Sequence, residues 1–136
     1  MEHLRVFFDQ YAAALSAADA QTIAAAYADQ FLAAGPGFHH CMQNDAHFLA
    51  SLESAGRRYR RIGMHIIAPR AYTETPLDRE LTLIRIEWQL LRADGSELVS
   101  FAVTYVVQAV DGAPKIIFSI AHNEQQRMRE KGLISR

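Results

Sequence analysis

The chain of 136 residues carries 14 Lys and Arg against 15 Asp and Glu, and its formal net charge of −1 excludes any overall attraction to nucleic acid or an anionic membrane. Half of the residues are hydrophobic, which supplies one core of ordinary size, and the length suits one domain over residues 1–136. The single cysteine, Cys41, excludes an intramolecular disulfide and fits a reducing compartment.

Glu2, Arg5 and Asp9 interrupt the first apolar residues, so the apolar stretch of a signal peptide is missing, and no apolar run approaches the roughly 18 residues of a membrane span. A cytoplasmic location is expected. Leu4, Phe7, Phe8, Tyr11, Leu15 and Ala18 recur at helical spacing and predict an amphipathic helix over residues 2–18. Asp19 can cap a second helix, whose buried stripe reads Ile23, Ala26, Tyr27 and Phe31. Gly35-Pro36-Gly37 breaks helix geometry. Asn44 reads as the N-cap of a third helix with Phe48, Leu49, Leu52 and Tyr59 on one face. It ends in Arg57, Arg58, Arg60 and Arg61, where cations suit a helix C-terminus, and Gly63 can take the left-handed stop.

Beyond Gly63 the apolar period changes to two. Strands are predicted over residues 64–74, 80–92, 97–110 and 115–122, with a short helix in the polar tail NEQQRMREKG. Pro69 marks a bulge or an edge position, and Asp94-Gly95 and Asp111-Gly112 are turn signals. A two-residue turn at Asp94-Gly95 sets Trp88 opposite Phe101, Ile86 opposite Val103 and Ile84 opposite Tyr105. One face of this ribbon is then wholly apolar. The other pairs Arg85 with Thr104, Glu87 with Ala102 and Gln89 with Ser100, and a one-residue slip would scramble both faces.

Three helices before a long antiparallel meander resemble the nuclear-transport-factor-2-like superfamily, which includes SnoaL-like polyketide cyclases, ketosteroid isomerase, scytalone dehydratase and limonene epoxide hydrolase. QYAAALSAADAQTIAAAYAD, residues 10–29, looks like its opening helix pair, and VDGAPKII, residues 110–117, looks like its last hairpin. The resemblance implies an α+β fold: a cone-shaped α+β barrel with three N-terminal helices packed on a long, curved, mostly antiparallel sheet. It also implies a pocket inside the cone and a homodimer. A ketosteroid isomerase is not implied. Tyr11 falls where that enzyme keeps its phenol donor, but its proton-shuttling aspartate would fall at Gly35 and its second carboxyl near Val106, so two of three catalytic groups are missing.

The same alignment places Val106, Ser119 and Ala121 inward, and strand alternation adds Thr104, Arg85 and Glu87. IRI at residues 84–86 also resembles the strand of the calcium/calmodulin-dependent kinase II association domain that carries a pocket arginine. On that orientation the apolar face with Trp88, Phe101, Tyr105 and Phe118 packs against a second subunit. The opposite orientation puts the apolar face under the helices.

Arg85 and Glu87, two apart on one strand, share a face and would form a charged pair at the pocket floor, the arginine for an anionic oxygen and the carboxylate as base; otherwise they are an exposed cross-strand pair. Tyr11 would donate a hydrogen bond to ligand, or is a core aromatic. Tyr27, Phe31 and Phe48 would line the same hollow with Thr104, Val106 and Ser119. His39, His40, Cys41 and His47 follow the Gly-Pro-Gly turn, and His39 could serve as acid or base at the cavity mouth. Their spacing is not that of a zinc site, so no metal is expected, and no cofactor, because nucleotide-binding glycine loops are missing too. RRYRR, residues 57–61, is read as a solvated helix end able to steer an anionic ligand. The leading functional expectation is a small-molecule-binding protein, with acid–base chemistry of isomerase, lyase or hydrolase type if it is an enzyme. The alternative is a non-catalytic dimerisation or scaffold module.

Overall fold

The computed structural model describes residues 4–135. Helix α1 (Leu4–Ala17) buries Leu4, Phe8, Tyr11, Ala12 and Ala14, a stripe set by the 3.6-residue period. Helix α2 (Ala20–Ala25) starts at Asp19, whose carboxylate accepts from the Thr22 backbone N–H at 3.2 Å. The second helix stops six residues earlier than its apolar spacing suggests. Tyr27 and Phe31 lie instead on strand β1 (Tyr27–Gly35), which turns into β2 (Phe38–Gln43). Helix α3 (Ala46–Arg61) is capped by Asp45 and not by Asn44: Asp45 Oδ1 accepts from the Phe48 N–H at 3.1 Å. The Asn44 amide donates to the carbonyls of Ala24 and Tyr27, tying α2 to the start of β1. Gly63, at φ +103°, ends α3 in the left-handed region that other residues rarely enter.

The meander follows as β3 (Ile66–Asp78), β4 (Leu81–Leu91), β5 (Glu97–Val110) and β6 (Ala113–Ala121), and a short helix α4 (Glu124–Glu130) comes after it. The six strands form one sheet in the order β2-β1-β6-β5-β4-β3, antiparallel except where β1 runs parallel to β6. The β4–β5 register is the expected one, with Trp88 opposite Phe101, Ile86 opposite Val103 and Arg85 opposite Thr104. β3 is an edge strand, and its register shifts between Pro69 and Ala71, so Pro69 marks both an edge and an irregularity.

Burial decides which sheet face meets the helices. Ile84, Ile86, Trp88 and Leu90 on β4 are at most 1% exposed, as are Val99 and Val107 on β5. Burying each such side chain is worth about 1.5–3 kcal/mol, so the wholly apolar face turns inward. Phe8 of α1 packs on Tyr105 at a centroid distance of 5.2 Å, and Tyr11 on Trp88 at 6.2 Å. The expected orientation with Arg85, Glu87, Thr104 and Val106 facing the cavity is therefore reversed: alternation puts all four on the outer face.

Candidate functional site

The inner face is apolar but carries a column of phenols. Tyr11 from α1 and Tyr27 from β1 share a hydrogen bond at 2.8 Å. Trp88 Nε1–H donates to Tyr105 Oη at 2.9 Å. Burial raises the pKa of Tyr11, Tyr27 and Tyr105 above the ordinary phenol value, so all three are neutral donors. Ser119 stands opposite Tyr105 on this face, next to Tyr27. Phe31 and Phe48 meet at 4.8 Å, and Phe31 meets Tyr27 at 4.6 Å, contact distances that fill this part of the cone with rings.

The column ends at a carboxyl. Tyr59, on the stripe of α3, donates from Oη to Glu124 Oε1 at 2.9 Å. The second oxygen of Glu124 takes no hydrogen bond from the described residues and is not sealed off. Burial pushes the Glu124 pKa up, opposed by the Tyr59 hydrogen bond and the Arg58 charge. The Tyr59 phenol is pushed well up by burial and then by the carboxylate beside it. Among the described residues no arginine comes within ion-pair distance of Glu124. This carboxyl faces a pocket of about 450 Å³. The end of α3 supplies Arg58, Tyr59, Arg61 and Ile62; α4 supplies Glu124, Gln125 and Met128; the tail closes it with Leu133 and Ile134. A partly desolvated carboxyl with one fixed and one accessible oxygen can exchange a proton with a bound molecule.

The residues singled out from sequence divide between two sides of the sheet. Tyr11, Tyr27, Phe31, Phe48 and Ser119 lie inside the cone. Arg85 is exposed outside, and Glu87, also outside, pairs with Arg70 at 3.7 Å. Thr104 Oγ1 and His122 Nε2 share a hydrogen bond at 2.6 Å on the outer side. Val106 faces outward opposite Phe118, while Ser119 faces inward, because the β5–β6 register shifts between Val106 and Val107 and Ile117 is left unpaired. His39 sits exposed on the edge strand β2 opposite Ala34, away from Glu124's pocket. Guanidinium, carboxylate and Tyr11 phenol thus do not converge as expected. Tyr59, Arg58 and Glu124 were not singled out together by sequence. The available signals were a tyrosine on the apolar stripe of a basic helix end and a carboxyl in the first turn of the tail helix.

The family described as NTF2-like protein (DUF6841) matches residues 2–124. The chain belongs to this NTF2-like family. Solved NTF2-like structures agree in fold. One is an NTF2-like protein with a cystatin-like fold from Novosphingobium aromaticivorans, with a TM-score of 0.72 and 14% identity over 99% of this chain and 88% of that one. A domain of unknown function with a cystatin-like fold from Nostoc punctiforme gives 0.70 and 16%, covering 93% and 81%. A putative calcium/calmodulin dependent protein kinase II association domain from Xanthomonas campestris gives 0.65 and 17%, covering 88% and 84%. No curated protein matches the chain. No helix of the NTF2-like fold described here is long and apolar enough to cross a membrane.

Proposed function

We propose that this NTF2-like protein binds a small molecule in the pocket between α3 and α4, and that Glu124 is its acid–base group. The observation that carries the reading is a carboxyl withdrawn from bulk water at the wall of a concave site of about 450 Å³, one oxygen held by Tyr59. Volumes of roughly 300–1,000 Å³ are those of small-molecule sites. Neutral Glu124 can donate a proton, and ionised Glu124 can take one from a hydroxyl or from a carbon beside a carbonyl. No cofactor enters this reading. Glu124 occupies neither of the positions at which a ketosteroid isomerase would carry its carboxyls, so the reaction class is proton transfer on a different scaffold of groups.

The test is proton exchange into D₂O, followed by NMR, across a panel of small ketones and hydroxyketones. Wild type is expected to exchange the α-protons of at least one member faster than buffer, and Glu124→Gln is expected to lose that activity. Equal exchange by both proteins would remove Glu124 from the chemistry.

The outer sheet face favours a second role beside the first. Leu32, Phe118, Val106 and Leu83 form one apolar row across β1, β6, β5 and β4, each half-buried with no helix over it. Arg85 and Glu87 follow Leu83 along β4 on the same face, one basic and one acidic, so this face carries no surplus of one charge to keep two copies apart. A second copy of the chain is the occupant that fits. Sedimentation velocity should show a dimer that Phe118→Arg converts to monomer; a wild-type monomer at micromolar concentration would end this reading.

A further inference from the structure

Two cations stand at the mouth of Glu124's pocket. Arg58 and Arg61 line it, and neither forms an ion pair or side-chain hydrogen bond among the described residues, whereas Arg60 donates to the Ser16 carbonyl at 3.1 Å. The C-terminus of α3 places a partial negative charge of roughly half an electron there. Two guanidinium groups outweigh it, so the mouth is electropositive while Glu124 is neutral. An ionised Glu124 cancels most of that surplus. Met128 and Leu133 give the rest of the wall an apolar surface.

We propose that the pocket takes a small organic carboxylate, its head on Arg58 and Arg61 and its apolar body on Met128 and Leu133, and that Glu124 takes up a proton as the anion binds. This rests on the reading of the pocket as a small-molecule site. Arg58 and Tyr59 from α3 act on Glu124, whose charge in turn reaches Tyr105 on β5. Arg61 joins them from the pocket rim. None of the tail residues in the wall is titratable. An incoming carboxylate faces the arginines and the Glu124 carboxyl together. The like-charge repulsion is relieved when Glu124 is protonated, and its burial already favours that form.

The probes are hexanoate and its uncharged isostere hexanamide, titrated by ligand-observed NMR. Hexanoate should bind at least tenfold more tightly than the amide, and Arg58→Ala with Arg61→Ala should abolish the preference. Hexanoate affinity should fall with rising pH, up to about tenfold per unit for one linked proton, and that extra dependence should vanish in Glu124→Gln. Equal affinity for acid and amide would overturn the anion assignment while leaving the pocket standing. A pH profile shared by wild type and Glu124→Gln would overturn the proton uptake. Binding of neither probe, or binding unchanged in a folded Leu133→Trp variant, would overturn the pocket itself.

Discussion

Glu124→Gln changes the stability of the protein in a pH-dependent way whose sign the structure fixes. Burial is the largest influence on this carboxyl and raises its pKa from the ordinary value of 4.5, with Tyr59 and Arg58 opposing. The native state therefore holds a proton that the unfolded chain has already released between 4.5 and the folded pKa. Unfolding releases that proton, so unfolding free energy falls as pH rises through the window, by at most about 1.4 kcal/mol per pH unit. Below the window the contribution is complete, and above the folded pKa it is lost. Glutamine keeps an acceptor for Tyr59 Oη and carries no charge, so the variant lacks the slope. Urea unfolding at closely spaced pH values and constant ionic strength, expressed as wild type minus variant, should show wild type losing relative stability towards alkaline pH. Arg58→Ala should extend that loss to higher pH, because it removes a charge that favours the ionised form. A difference that does not vary with pH would refute the burial argument. A difference of opposite sign would show a carboxylate stabilised as an ion.

Tyr11→Phe and Tyr27→Phe each leave the partner hydroxyl short of a hydrogen bond and should cost about 1–3 kcal/mol in urea unfolding. The double variant should cost less than the two single costs together, and strict additivity would show uncoupled phenols. Trp88→Phe removes the donor to Tyr105 and part of a fully buried ring, so it should cost at least about 1–3 kcal/mol; a neutral result would contradict the hydrogen bond. Arg85→Ala and Glu87→Ala act on the outer face and should each stay within about 0.5 kcal/mol of wild type, and should leave ligand exchange unchanged. Loss of exchange in either would restore them to the site.

The register of β4 and β5 was legible because its information is local: alternation from Ile84 to Leu90 and from Val99 to Tyr105 gathers the apolar side chains on one face in one register only. The turn is longer than two residues, the Arg92 N–H donating to the Ser96 carbonyl, and a shift between Leu90 and Leu91 makes up the difference. The helices α1 and α3 were legible for the same reason at a period of 3.6. The segment from Tyr27 to Gln43 was not. Tyr27 and Phe31 are four apart among alanines, the spacing of a helix, and what makes them a strand is a parallel partner some ninety residues away on β6. The sheet orientation could have been decided from energies alone. Arg85 and Glu87 beneath the helices would lose hydration, while Ile84, Ile86 and Trp88 gain by burial. Alignment of the last strand misled because the unpaired Ile117 reverses which side Ser119 faces relative to Val106. Glu124 looked like one more charge in a polar tail, and its burial depends on Tyr59, sixty-five positions earlier.

The boundary of the family match gives α4 and the tail a distinct meaning. The match stops at residue 124, where the acidic group stands, yet Met128, Leu133 and Ile134 behind it complete the enclosure. The hydrogen-bonded phenols thus lie within the matched stretch, whereas the apolar residues of α4 and the tail that line the pocket lie past residue 124. Replacing Leu133 and Ile134, with Glu124 and the Arg127 hydrogen bond to the Ser100 carbonyl kept, would reshape that wall and leave the sheet alone.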